Sequence, residues 1–163
     1  LSGEHLIARG GQAEHLLALA LDYGITALCA HACGAMAYLT DSTIQYLKTR
    51  QQFGQPLAAF QVLQHRLGDM LIQSEMGLSM TYVAAIALGE QDAAKRSRLV
   101  SMSKVEVAGA ARLVGEIAVQ LHGGMGMTDE LEVGDYFKRL AYTEMLLGDT
   151  NFHLQRMQEL ESV

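Results

Sequence analysis

Apolar residues recur every three or four positions along most of this chain, which is the spacing of one face of an α-helix. The first such stretch predicts a long helix over 24–51, the second predicts one over 59–88, and the third predicts one over 93–121. Two shorter stretches predict helices over 130–146 and 150–161. No segment alternates between apolar and polar residues as a half-buried strand does. The pattern therefore predicts an all-α fold.

Short polar breaks separate the predicted helices, which favours an antiparallel, up-down bundle of three long helices and a broken fourth. The single proline, Pro56, fixes the turn after the first helix. Residues 1–11 are irregular and bounded by glycine, so we expect them to end a preceding domain, with the bundle domain covering 12–163. The positions expected to face the core are Ile25, Leu28, Ala32, Met36, Leu39, Thr43 and Leu47, then Leu63, Leu67, Met70, Leu71, Met76 and Leu78, then Val100, Val107, Ala108, Ala111, Val114, Ile117 and Leu121.

Composition narrows the class of protein. The 163 residues, half of them apolar, correspond to one domain with a substantial core. The net charge of −6 argues against a nucleic-acid-binding protein. No uninterrupted run of 18 apolar residues occurs, so no membrane span is expected. The chain begins at Leu1 without the pattern of a signal peptide, and we interpret it as part of a longer, cytoplasmic protein. Cys29 and Cys33 lie one helical turn apart and are expected to be buried thiols, although a disulfide is possible.

Two polar segments carry the candidate chemistry. At the end of the first helix, the guanidinium of Arg50 can bind a pyrophosphate through two hydrogen bonds, but an arginine there also complements the helix dipole. The run of Gly123, Gly124 and Gly126 can present backbone amides to an anion, but it is equally typical of a helix C-cap and turn. No strand precedes it, so it is not a dinucleotide-binding fingerprint. No Glu-x-x-His pair occurs at helical spacing, and no metal site is expected.

The two segments together resemble the C-terminal domain of the acyl-CoA dehydrogenase family. In that family a long helix ends in Arg-x-x-Phe-Gly, with a glutamine seven residues after the glycine, and Arg50, Phe53, Gly54 and Gln61 have this spacing. A second motif of the family is Gln-x-x-Gly-Gly-x-Gly, followed by an acidic residue and a basic helix. Its counterparts here are Gln120, Gly123, Gly124, Gly126, Glu130 and Arg139. The resemblance covers nearly the whole chain.

The resemblance implies an FAD-dependent acyl-CoA dehydrogenase, which removes the α-proton of an acyl-CoA with a glutamate while the β-hydrogen leaves as hydride. It also implies assembly as a tetramer, electron-transfer flavoprotein as the electron acceptor, and a role in degrading fatty or dicarboxylic acids. The residues implied to contact the FAD of a neighbouring subunit are Arg50, Gln52, Phe53, Phe60, Gln61, Gln120, His122, Gly123 and Gly124. Thr150 and Asn151 are implied to approach the flavin of their own subunit. Asp22 and Gly24 are implied to lie at the acyl substrate, with Asp22 at the entrance of its pocket.

The catalytic glutamate of the family has no counterpart in this sequence. One family position for it lies nine residues beyond Arg139, where this chain has Gly148. The other lies at residues 23–25, which contain no carboxylate. Glycine can donate its N–H to a thioester carbonyl but cannot accept a proton. Asp149 is the neighbouring carboxylate, although one step along a helix turns a side chain by about 100°.

Three interpretations therefore stay open. The chain can be a small subunit without a base, paired with a large subunit that supplies the glutamate. It can be a self-sufficient dehydrogenase that uses Asp149 as its base. It can also be a non-catalytic scaffold that binds flavin or acyl-CoA. The segment from Gln120 to Asp149 resembles the small subunit of pimeloyl-CoA dehydrogenase-type enzymes in particular.

Overall fold

The computed structural model describes residues 6–128 and 130–161, and it shows a bundle of five helices. The predicted linker over 1–11 therefore lies partly outside the described residues. The helices are α1 (Gly11–Thr49), α2 (Gln61–Ala87), α3 (Ala93–His122), α4 (Val133–Met145) and α5 (Thr150–Glu161). Short 3-10 turns cover Leu57–Ala59 and Gly123–Met127. The predicted all-α bundle, with three long helices and a broken fourth, is confirmed.

Helix α3 is the centre of the bundle and packs against each of the other four helices. All seven of its predicted core positions are buried. Burying such side chains stabilises the fold by roughly 1.5–3 kcal/mol for each large one. The positions of the other four helices are thus set by their packing against α3.

The first helix begins 13 residues earlier than predicted, at Gly11 instead of residue 24. Residues 12–23 are mostly good helix formers, and no proline interrupts them. Only Asp22 of this stretch is buried, whereas Leu16 and Leu17 are exposed. The helix therefore extends beyond the core, where no regular apolar face marks it in the sequence.

The predicted inward face of α2 was partly wrong. Met70 is fully buried, but Leu71 and Met76 are exposed. The small residues Gly77, Thr81 and Ala84 face the core instead. Because α2 approaches α1 and α3 closely there, small side chains mark its buried face better than large ones do.

A two-stranded hairpin that the sequence analysis did not predict follows α1. Strands β1 (Gln51–Gln52) and β2 (Gln55–Pro56) pair antiparallel. Both loop residues have positive φ, 55° at Phe53 and 78° at Gly54, as a type I′ turn requires. The hairpin holds the Phe53 side chain 90% exposed beside Arg50.

Helix α1 is long and apolar enough to cross a bilayer by length and composition alone. One such helix is weak evidence, because the core helix of a bundle meets the same criterion. Here α1 packs against α2, α3 and α4, and it buries Ile25, Met36 and Leu39 completely. Core packing accounts for its apolar character, and the expected absence of a membrane span stays a prediction.

Candidate functional site

The two segments that carry the resemblance lie side by side in the structure. The rings of Tyr46, near the end of α1, and His122, the last residue of α3, stack with their centroids 4.3 Å apart. The Tyr46 hydroxyl also donates to the backbone oxygen of His122 at 3.4 Å. The C-terminal ends of α1 and α3 therefore form one surface, although 76 residues separate them in sequence.

Most of the residues predicted to bind a cofactor reach solvent on this surface. The exposed ones are Arg50, Gln52, Phe53, Gln61, Gln120, Gly123 and Gly124. Phe60 is half-buried and packs edge-on against Phe53, with the ring centroids 6.1 Å apart. Within the described part of the chain, the guanidinium of Arg50 makes no hydrogen bond or ion pair. A cation, several amides and an aromatic side chain are thus available together.

His122 does not share this exposure, although it was predicted to contact the cofactor. It is buried, and its Nδ1 donates to the backbone oxygen of Ala118 at 2.8 Å. Burial lowers the pKa of the imidazole below its usual value, so the ring is neutral at pH 7. The side chain of His122 packs beneath the surface, and its contact with the cofactor stays a prediction.

The glycine segment begins as a helix cap. Gly123, with a φ of 59°, ends α3, and its N–H donates to the backbone oxygen of Gln120. A side chain at Gly126 would place its Cβ only 2.9 Å from the backbone oxygen of Val119. The C-cap interpretation is therefore what the structure shows for Gly123, whose amide is engaged. Gly124 lies exposed beside it.

Gly148, the residue predicted to replace the family's glutamate, lies in a tight turn between α4 and α5. Leu147 and Gly148 both have positive φ, 59° and 103°. The buried ammonium of Lys104, on α3, donates to the backbone oxygens of Gly148 at 2.9 Å and Glu144 at 3.3 Å. Burial lowers the pKa of Lys104 below its usual value. One buried cation thus holds the carbonyl oxygen of Gly148 in the turn and that of Glu144 in the last turn of α4.

His153 holds the same turn from α5. Its Nε2 lies 3.1 Å from the backbone oxygen of Leu147, and its Nδ1 lies 3.2 Å from the Ser101 hydroxyl. A carbonyl oxygen only accepts, so we assign the proton to Nε2 and let Nδ1 accept from Ser101. Burial, with the nearby charge of Lys104, lowers the pKa of His153 to about 4. The imidazole is therefore neutral at pH 7 and acts as a fixed hydrogen-bonding unit.

Two carboxylates lie near the turn, and sequence reasoning had named only one of them. Asp149 is exposed, and its Oδ1 accepts from the backbone N–H of Phe152 at 2.8 Å, so it caps the start of α5. Glu144 was missed: its Oε1 accepts from Thr150 N at 2.9 Å and its Oε2 accepts from the Thr150 hydroxyl at 3.0 Å. Asp149 is therefore not the only local carboxylate. No sequence pattern signals Glu144, because its contact depends on the fold of the 146–149 turn.

The two segments predicted to hold the family's glutamate, residues 23–25 and the turn at Gly148, lie close together. A Cβ added at Gly24, on α1, would lie 3.2 Å from Cδ1 of Leu147. The backbone of α1 at Gly24 thus lies directly against the Leu147 side chain of this turn. Thr150 is half-buried next to this turn, and Asn151 is exposed.

Asp22 lies inside the bundle. Its carboxylate is fully buried and accepts from Arg96 Nε at 3.0 Å, Ser97 Oγ at 2.8 Å and Arg156 Nη2 at 2.9 Å. These contacts tie α1 to α3 and α5. Both of its oxygens are engaged inside the bundle, and its role at the substrate stays a prediction.

The described residues can bind and position a ligand, but Gly148 has no side chain that could accept a proton. Within residues 6–128 and 130–161, no three His, Cys, Asp or Glu side chains lie close enough together to hold a metal ion. The two thiols, Cys29 and Cys33, are free and buried, and burial raises the pKa of Cys29 to about 12.

Comparison with known proteins identifies a family. Residues 15–160 match the family described as acyl-CoA dehydrogenase, C-terminal domain. The chain is 30% identical to acyl-CoA dehydrogenase IpdE2 of Mycolicibacterium smegmatis, covering 80% of this chain and 40% of that protein. It is 27% identical to the mitochondrial short-chain specific acyl-CoA dehydrogenase of Rattus norvegicus, covering 94% and 36%. The chain therefore spans about two fifths of the length of these relatives.

Solved structures with the same bundle include butyryl-CoA dehydrogenase from Megasphaera elsdenii, with a TM-score of 0.89 and 24% identity over 100% of this chain and 42% of that one. The structure called Tcur3481-Tcur3483 steroid ACAD G363A variant has a TM-score of 0.81 and 30% identity over 87% of this chain and 39% of that one. PigA, solved with FAD and proline, has a TM-score of 0.78 and 26% identity over 87% and 37%. The family match over 15–160 and the shared fold show that this chain belongs to the acyl-CoA dehydrogenase family, of which it has the C-terminal helical domain.

Proposed function

We propose that this chain is the C-terminal domain of a subunit of an FAD-dependent acyl-CoA dehydrogenase, and that the subunit has no base of its own. The observation that carries the proposal is Gly148, a glycine at a φ of 103° where the spacing from Arg139 puts the family's glutamate. Lys104 holds its carbonyl oxygen, and His153 holds that of the preceding residue, Leu147. A turn built in this way can orient a bound thioester, but it cannot accept a proton from it.

The residues at the joined ends of α1 and α3 fit the adenylate part of FAD. The unpaired guanidinium of Arg50 suits a phosphate, since charge-assisted hydrogen bonds to oxyanions are among the strongest in proteins. The exposed ring of Phe53 suits a planar base, and the amides of Gln52 and Gln120 can recognise its polar edge. PigA, a relative of the same fold, was solved with FAD.

When bound, FAD takes up the hydride that leaves the acyl thioester. The part of this chain is to hold the cofactor at the α1–α3 surface and to shape the thioester end of the site with Gly148, Thr150 and Asn151. Electron-transfer flavoprotein is the proposed acceptor of the electrons. Oxidation of an acyl-CoA in fatty or dicarboxylic acid degradation is the proposed reaction.

The missing base leads us to propose a large subunit of the same family as the partner, with this chain as a small subunit of the pimeloyl-CoA dehydrogenase type. Support comes from the relative whose name joins two components, Tcur3481-Tcur3483. It also comes from Asp149, whose Oδ1 caps α5 and is therefore already engaged. The partner would contribute the glutamate that this chain lacks.

Anaerobic reduction of the flavin tests this proposal. The full-length protein is purified alone and also co-expressed with a family member encoded beside it, and acyl-CoA thioesters are added to each sample. We expect loss of the oxidised-flavin absorbance only in the co-expressed sample. Bleaching by the chain alone would contradict the proposal, and Asp149→Asn would then show whether Asp149 is the base.

The cofactor surface has a separate test. In the assembled protein, Arg50→Ala should weaken FAD retention by roughly 10–100-fold, which corresponds to the loss of one charge-assisted contact of about 1.5–3 kcal/mol. Arg66→Ala is the matched control, because Arg66 is an exposed arginine on α2 paired only weakly with Asp69 at 3.9 Å. Equal FAD content in both variants, measured from the flavin-to-protein absorbance ratio after dialysis, would show that Arg50 does not bind the cofactor.

A further inference from the structure

The turn between α4 and α5 leaves no space for a side chain at position 148. A φ of 103° is one that residues other than glycine rarely adopt. A Cβ built on Gly148 would overlap Cδ1 of Phe152, and it would lie 2.9 Å from Cε1 of the same ring and 3.0 Å from Nε2 of His153. Two independent obstacles, one of backbone conformation and one of packing, therefore meet at this residue.

Neither obstacle is easily relieved by movement of the turn. The carbonyl oxygen of Gly148 is held by Lys104, and that of Leu147 is held by His153. The backbone of Phe152 is held as well, because its N–H donates to Asp149. Its ring, which is 47% exposed, packs edge-on against His153 with the centroids 5.1 Å apart and fills the space beside the turn.

We propose that Phe152 excludes a carboxylate side chain from position 148, and that Lys104 and His153 are positioning residues that keep the turn in the form requiring glycine. The inference rests on the proposed function, which locates the missing base at 148. Several residues together then exclude a base from this position, and the single substitution Gly148→Glu does not restore a base.

A double-mutant cycle on the full-length protein tests whether Phe152 blocks a side chain at position 148. The variants are Gly148→Ala, Phe152→Ala and their combination, with the midpoint of thermal unfolding as the readout. Gly54→Ala is the matched control, since Gly54 also has a positive φ, 78°, but nothing lies within 4 Å of its Cβ position. We expect Gly148→Ala to lower the midpoint about twice as far as Gly54→Ala, because it adds overpacking to the backbone strain. In the Phe152→Ala background, the effect of Gly148→Ala should fall to about that of the control.

Additive effects in the cycle, or a Gly148→Ala effect no larger than that of Gly54→Ala, would overturn the inference. Neither result depends on flavin chemistry, so the proposed function would be unaffected by it. Gly148→Glu gives the functional readout: substrate-dependent flavin bleaching by that variant without a partner would show that position 148 accepts a base. Bleaching by the unchanged chain alone would instead contradict the proposed function and leave the unfolding cycle to decide the inference.

Discussion

The buried charged side chains are partnered in two different ways. Asp22 accepts from two arginines, Arg96 and Arg156, whereas the ammonium of Lys104 is held by backbone carbonyl oxygens. Arg96 Nη2 is buried and has no hydrogen-bond partner among the described residues. Among residues 6–128 and 130–161, Asp22 is the only buried carboxylate, and it compensates the charge of two arginines.

Asp22→Asn should destabilise the protein by about 3–5 kcal/mol, because it leaves two arginines without their buried counter-charge. Asp69→Asn is the control, since Asp69 and Arg66 form an exposed pair whose contribution is below about 1 kcal/mol. Urea unfolding of both variants measures the difference. Equal midpoints would show that the Asp22 ion pairs add no stability.

His153 should make stability depend on pH between about 4 and 6.5. Its pKa is about 4 in the folded protein and 6.5 in the unfolded chain, so in this window the unfolded chain binds the extra proton. Stability from the neutral ring is complete above pH 6.5 and declines as the pH falls towards 4, by about 3 kcal/mol in total. Urea unfolding across this window should show a shallower decline in His153→Gln. An unchanged pH dependence in that variant would assign the decline to other groups.

At the level of elements, apolar spacing predicted the helices well wherever one face meets the core. It placed α3 to within one residue, since Val100 through Leu121 line the centre of the bundle. It missed the first 13 residues of α1, of which only Asp22 is buried, and it missed the hairpin, whose strands are only two residues long. Elements without a buried face leave no periodic pattern to detect.

The start of α3 offers a test at this scale. Asp92 accepts from the backbone N–H groups of Ala94 at 2.9 Å and Lys95 at 3.2 Å, and so it caps a helix that every other helix touches. Asp92→Ala should cost about 1 kcal/mol, within the usual range for N-caps. Glu116→Ala, which removes only an exposed pair with Arg112, should cost less than half as much. Thermal unfolding compares the two, and equal shifts would contradict the capping role.

For the whole molecule, one side of α2 is apolar and uncovered within the described residues. Ile72, Met76 and Ile86 are exposed there, with Ile86 79% accessible. A surface of this kind usually marks an interface. The sequence could indicate that such a surface exists, but it could not say which residues form it, because Leu71 and Met76 were expected to face the core.

The candidate site could also be predicted only in part from the sequence. Motif spacing found its exposed residues, whereas Lys104, Glu144 and His153 join it only through the folded turn.

Ile86→Asp in the full-length protein should therefore weaken self-association, or association with a partner subunit, by roughly tenfold or more. Ala85→Asp introduces the same charge one position along α2, on a different side of the helix, and serves as the control. Sedimentation at several protein concentrations measures the effect. An unchanged oligomer in Ile86→Asp would place the interface elsewhere.

The stack of Tyr46 on His122 has a consequence for the thermodynamics of recognition. It fixes the spacing between Arg50 and the 120–124 segment before any ligand arrives. A ligand that spans both segments then loses only its own freedom, because the receptor surface is already ordered. Affinity at this surface should accordingly come with a small entropic penalty from the protein, and loosening the stack should show first as a less favourable binding entropy.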